Sequence, residues 1–114
     1  MTLRQQQSLF VMLVGNLIEH VYSAGFEATF GEAWRTPEQA EWYAERNMGI
    51  RHSLHTERLA IDLNLFRDGQ LVATVEGYRP IGEYWESLHE LARWGGRFSR
   101  PDADHFSLAW NGAE

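Results

Sequence analysis

The stretch LAIDLNLF, residues 59–66, restricts the possible folds of this chain more than any other. Leu59, Ile61, Leu63 and Leu65 alternate with Ala60, Asp62, Asn64 and Phe66, the period of two that belongs to a strand with one buried face. The Asp68-Gly69 dipeptide that follows is a hairpin signal, with LVATV (71–75) as the return strand. An antiparallel sheet is therefore expected, with Asp62 and Asn64 on the face turned away from the core. A carboxylate there meets a partner or water rather than hydrocarbon.

Helices are expected on either side of this strand. Leu3, Phe10, Leu13, Leu17 and Val21 form one helical stripe over residues 3–24, stopped by Gly25. Phe26, Ala28 and Phe30 then alternate in a second half-buried strand. Thr36, Pro37 and Gln39 read as cap, first-turn proline and capping-box partner of a helix running to about Asn47 and closed by Gly49. A loop through Gly77 and Pro80 leads to a third helix over IGEYWESLHELARW (81–94), ended by Gly95-Gly96, and DHFSLAW (104–110) is a last strand. Strands and helices segregate, so the class is α+β, a small antiparallel sheet packed with about three helices. At 114 residues the chain is expected to form a single domain, 1–114.

Charge and composition exclude several functions. Sixteen acidic residues against ten basic ones give a net charge of −6. A phosphate-binding face needs the opposite balance, so nucleic acid is not the expected partner. The same acidity supplies no attraction to an anionic surface. With no cysteine there is neither a disulfide nor a zinc-thiolate site. Arg4 precedes the apolar run LFVMLVG, but Asn16, Glu19 and His20 interrupt it. The segment reads as an amphipathic helix rather than an export signal, and no stretch is long enough to cross a bilayer.

One segment carries chemistry. HSLHTERLAID (52–62) brings two histidines and an aspartate to the start of the central strand. Two ligands of one ion have donor atoms only about 3 Å apart, given metal bonds near 2 Å. Seven residues of straight strand span about 23 Å, so His55 and Asp62 share an ion only if TER (56–58) reverses the chain in a tight hairpin. DADHF supplies a third ligand, His105, with Asp102 three residues earlier. Two histidines and one carboxylate with a position left for water form the pattern of a catalytic zinc site, where a nearby carboxylate takes a proton from the acidified water. Asp102 is placed for that role, and Asp104 is a second candidate base. His20 and His89 read as structural, Trp110 as packing, and Glu83, Glu86 and Glu90 as a solvated helix face. One of Trp85 and Trp94 is expected in the core and the other on a cleft wall.

These residues resemble the signature of peptidase family M15, which runs Ser-x-His, six residues, Asp, and a distal (Asp or Glu)-x-x-His. SLHTERLAID supplies Ser53, His55 and Asp62, and DADH supplies Asp102 and His105. WRTPEQ (34–39) is similar to the family's arginine and the helix start after it, and WESLHELARWGGRF (85–98) to its tryptophan-bearing helix and Trp-Gly-Gly. The resemblance implies one zinc ion held by His55, Asp62 and His105. It implies Asp102 as the general base that returns a proton to the leaving amine, and Arg35 on the scissile carbonyl or the oxyanion formed from it. Ser53 would support the site by hydrogen bonding, and the fold would be the compact one shared with the hedgehog signalling domain.

The family includes D-alanyl-D-alanine carboxypeptidases, VanX-type dipeptidases and phage L-alanyl-D-glutamate endopeptidases, so the implied substrate is a peptidoglycan stem peptide. A single domain with neither signal peptide nor wall-binding module resembles phage endolysins, which gather in the host cytoplasm before release to the wall. The expected protein is thus a monomeric L-alanyl-D-glutamate endopeptidase. The alternatives are a D,D-carboxypeptidase or dipeptidase, and a catalytically silent zinc- or wall-binding module. One departure stands out: Arg58 replaces the glycine most members carry. The turn is therefore expected to avoid positive φ, with Arg58 joining Arg35 and Arg51 as positive charge at the cleft.

Overall fold

The computed structural model describes residues 1–50 and 52–114. Helix α1 (Leu3–Ser23) begins at a complete capping box. The Thr2 hydroxyl accepts the Gln5 N–H at 3.2 Å and the Gln5 side chain accepts the Thr2 N–H at 2.8 Å. Phe10, Leu13, Leu17 and Val21 are buried along its stripe, while Leu3 is only half-buried. Strand β1 (Glu27–Phe30) follows. Phe30 departs from expectation: its register against Leu63 sets it on the core face, yet it is 69% exposed because it lies on the outermost strand.

Helix α2 (Pro37–Glu45) is capped by Thr36, which accepts the Gln39 N–H at 3.1 Å. Only half of the expected box forms, since the Gln39 amide donates to the Tyr43 hydroxyl instead. Asn47, with φ +55°, turns the chain after this helix in place of Gly49. The expected hairpin at residues 56–58 is replaced by a short 3-10 turn, Leu54–Glu57, ended by Arg58. Arg58 does adopt positive φ (+56°), contrary to expectation, and its guanidinium lies over the Trp34 ring at 4.5 Å.

Strand β2 (Ala60–Arg67) turns through Asp68 and Gly69, both at positive φ, into β3 (Gln70–Leu71), the geometry that Asp-Gly favours. The return strand stops early because Thr74 accepts the Gly77 N–H at 3.0 Å and starts helix α3 (Val75–Leu88). This helix starts at Val75, six residues before the expected start at 81, runs through Pro80 and ends at Leu88, six residues before the expected end at 94. Residues at its expected end form β4 (Ala92–Trp94), and β5 is His105–Leu108. Strand pairing of Ala92 with Leu108 and of Trp94 with Phe106 outweighs the local helical pattern. Trp85 and Trp94 are both fully buried, so neither is a cleft wall.

The strands order β1-β2-β5-β4 with every pair antiparallel, and β3 pairs with β2. The α+β class is as expected. Ile61, Leu63, Leu65, Phe106 and Leu108 join the residues of α1 and α3 in one core, where Trp85 meets Phe10 and Phe106 edge to face. Asp62 and His105 lie directly opposite each other on neighbouring strands, so their side chains share the face away from that core. Next to Asp62, β1 continues as a bulge: Gly31 N–H donates to the Asp62 carbonyl at 2.8 Å, and Asp62 N–H donates to the Glu32 carbonyl at 2.9 Å. No helix of the described residues is long and apolar enough to cross a membrane.

Candidate metal centre

Three of the expected site residues converge on one point. His55 Nε2 lies 3.3 Å and His105 Nδ1 3.6 Å from Asp62 Oδ1. Asp62 pairs with His105 by strand register, not with His55 across a hairpin. His55 arrives instead on the 3-10 turn, whose N-cap, buried Ser53, accepts the His55 N–H on its hydroxyl at 3.2 Å. The outward nitrogens meet carbonyls: His55 Nδ1 is 3.4 Å from Ala33 O and His105 Nε2 is 3.4 Å from Glu114 O. A proton on each outward nitrogen leaves the other lone pair facing Asp62.

Whether these groups suit a metal ion is tested by their polar accounting. Asp62 Oδ1 is buried and has no hydrogen-bond partner among the described residues. Leaving such an acceptor unpaired costs about 1–3 kcal/mol. The donor atoms of His55, Asp62 and His105 all lie within 4.8 Å of one another, and two imidazoles with one carboxylate suit zinc or a similar divalent ion. Burial alone would raise the Asp62 carboxyl, but the two imidazoles beside it hold it at about 2. Burial alone would lower His55, and Asp62 outweighs it, raising the imidazole above its ordinary 6.5.

The two carboxylates of DADH differ. Asp102 is 55% exposed, with Oδ2 3.9 Å from His105 Nδ1, and it lines a cleft of about 760 Å³ over the three convergent side chains. Asp104 is pushed up to about 7, first by burial, then by its contact with Asp102 and the charges of Asp62 and Asp102. The loop carrying both is held from below. Trp94 donates its indole N–H to the Ala103 carbonyl at 2.7 Å, and Gly95 O accepts the Asp102 N–H at 2.8 Å. A Cβ at Gly95 would overlap the Asp102 carbonyl and lie 2.8 Å from the His105 Cβ.

Arg35 also lines the cleft, as do Phe98 and Arg100. Its Nη2 lies 2.6 Å from Glu32 Oε1. The sequence reading passed over Glu32; the glycine inside an alternating strand was the available signal, since such a glycine often marks a bulge. Arg58 stacks on Trp34 rather than lining the cleft, and Arg51 lies outside the described residues. His20 stacks on Tyr84, and His89 accepts the Leu91 N–H beyond the end of α3. Glu83 and Glu86 pair with Arg97 at 3.3 and 3.1 Å.

Residues 46–108 match the profile of a peptidase M15 family described as D-alanyl-D-alanine carboxypeptidase. Among solved structures, the L-Ala D-Glu endopeptidase ChiX of Serratia marcescens is similar over 73% of this chain and 67% of its own, with a TM-score of 0.63 and 18% identity. That likeness is one of fold. No curated protein matches the chain.

Proposed function

Because the chain belongs to peptidase family M15, we propose that it is a zinc-dependent hydrolase of peptidoglycan stem peptides, an endolysin-type enzyme that cuts the L-alanyl-D-glutamate bond. The observation that carries this reading is the buried, unpartnered Asp62 Oδ1 between two imidazole nitrogens at the floor of an open cleft. His55, Asp62 and His105 would hold the ion. Zinc in such a site supplies Lewis acidity, acidifying water and polarising a carbonyl.

The remaining steps belong to the chain's own groups. Asp102 reaches into the cleft with an exposed carboxylate, so it can accept a proton there and return it to the leaving amine. Asp104 is less suited, being half-buried and not part of the cleft lining. Arg35 presents a fixed cation at the same cleft, where negative charge would develop on the carbonyl oxygen. Ser53 fixes the turn that delivers His55. A pure binding module would need neither Asp102 nor Arg35. On this reading the enzyme gathers in the host cytoplasm and acts after release to the wall.

The test is mass spectrometry of purified peptidoglycan digested by the zinc-loaded protein, with His55→Ala as control. New N-terminal D-glutamate is the expected product. Released D-alanine would move the assignment to the carboxypeptidase that the matched family's description favours. Intact stems with parent and control alike would leave a binding module.

A further inference from the structure

Glu32 comes from no motif, yet it holds a cation of the cleft, Arg35. Both Arg35 Nε and Nη2 lie 2.6 Å from its Oε1, the spacing of strong charge-assisted hydrogen bonds. The pair is shielded, with the side chains of Arg35 and Glu32 14% and 26% exposed. The Arg35 Cζ lies 4.9 Å from the centroid of the Tyr43 ring, so the guanidinium is held by one edge and one face. Nη1 is left on the side of Gly49, a residue of the cleft wall.

The backbone explains how Glu32 gets there. Gly31 and Glu32 together oppose the single residue Asp62, and a bulge of this kind re-aims the side chain that follows. Gly31 permits the close approach, since a Cβ there would lie 2.9 Å from the Asp62 Cβ. The residue that grips Arg35 is thereby tied by hydrogen bonds to the strand position that carries a metal-ligating carboxylate. Glu32 Oε1 stands 3.9 Å from His55 Nδ1, beyond hydrogen-bond range. Its partner is the arginine, not the histidine.

We propose that Glu32 is a positioning residue, which orients the Arg35 guanidinium before substrate arrives so that the cation meets the scissile carbonyl oxygen. This rests on the hydrolase reading above. A cation already fixed in place needs no reorganisation as charge develops, and misplacing a positioning group by about 1 Å can cost about 100-fold in rate.

The experiment compares Glu32→Ala and Glu32→Gln in the parent and in an Arg35→Ala background. Steady-state cleavage of peptidoglycan is measured beside Zn²⁺ affinity by chelator competition and the Arg35 Nε–H resonance. Glu32→Ala should lower kcat by about 10-fold or more, with KM and Zn²⁺ affinity nearly unchanged and the Nε–H resonance moved. Glu32→Gln keeps an acceptor and should recover part of the loss. In the Arg35→Ala background, removing Glu32 should add less than about twofold, because coupled residues are not additive. Equal losses in both backgrounds, or a loss of Zn²⁺ affinity in Glu32→Ala, would overturn the proposal. A parent that cleaves nothing overturns the hydrolase reading and this proposal together. An active parent with an equally active Glu32→Ala overturns this proposal alone.

Discussion

Two polar problems on strand β2 are solved in opposite ways. Between the stretch paired with β5 and the stretch paired with β3, the backbone of Leu63 and Leu65 has no strand beside it on that edge. The Tyr78 hydroxyl fills the gap, donating to the Leu63 carbonyl at 2.9 Å and accepting the Leu65 N–H at 3.0 Å. One side chain thus completes the ladder from within the core. A residue before Leu63, Asp62 Oδ1 is buried as well and meets no hydrogen-bond donor among the described residues. A buried polar group that the fold satisfies internally serves stability, whereas one left open beside two imidazoles is available to a ligand.

The sharpest way to break this comparison is Asp62→Ala. Peptidase activity should fall by on the order of 10³-fold or more, because water activation at the ion is lost. In thermal melts, zinc at 100 times its Kd should stabilise the parent by about 2.7 kcal/mol and the variant hardly at all. A zinc-induced shift that survives in Asp62→Ala would place the ion elsewhere.

Gly95→Ala should be next in size. The added methyl overlaps the Asp102 backbone, and overpacking of this kind costs about 1–3 kcal/mol. Activity should drop further than stability does, since Asp102 and His105 are the groups displaced. Denaturant melts beside kinetics would separate the two effects.

Tyr78→Phe addresses the other half of the comparison. It strands the Leu63 carbonyl and the Leu65 N–H, at a cost of about 1–3 kcal/mol. Added zinc should not restore the lost ground selectively. Equal stability of variant and parent would show that the ladder gap is filled in some other way.

Titration distinguishes the open site from the closed one by sign. His55 is raised above 6.5, against its burial, chiefly by the Asp62 carboxylate beside it. In the metal-free protein a raised histidine adds stability that is full below 6.5 and lost as pH rises through the folded-state value. Zinc must displace that proton, so its affinity should rise over the same interval. Asp62, held at about 2, stays ionised throughout. Melts with and without zinc across this range should therefore diverge as pH rises, and convergence would count against His55 as a ligand.

The smallest effect is expected at Arg58→Gly. Glycine relieves about 1–2 kcal/mol of left-handed strain at φ +56°. It gives back about 0.5–1 kcal/mol in chain entropy and a similar amount in the stack on Trp34. A net change within about 1 kcal/mol follows from these opposing contributions, measurable by urea melts.

Short-range patterns account for what the amino-acid order made legible. The α1 stripe, the alternation of β2, the Asp68-Gly69 turn and the Thr36 cap each depend on neighbours a few residues away. The order of Ser53, His55, Asp62, Asp102 and His105 was legible as well, because ligand chemistry restricts residue type more tightly than packing does. Residues 89–94 carry a helical pattern yet leave the helix and end in β4, and residues 75–80 read as strand and loop yet form the start of α3. Their local patterns compete with cross-strand pairing and with the burial of Trp94, and neither is visible in a short window.

By itself, then, the sequence determined the central strand, the first helix and which candidate donor side chains are present, all set by local periodicity and chemistry. The tertiary structure alone decided that Asp62 faces His105 across a strand pair while His55 arrives from a turn. It also decided that Arg58 takes positive φ and that a bulge hands Glu32 to Arg35. Register and close backbone approach are properties of two distant segments at once, and no single stretch of chain encodes them.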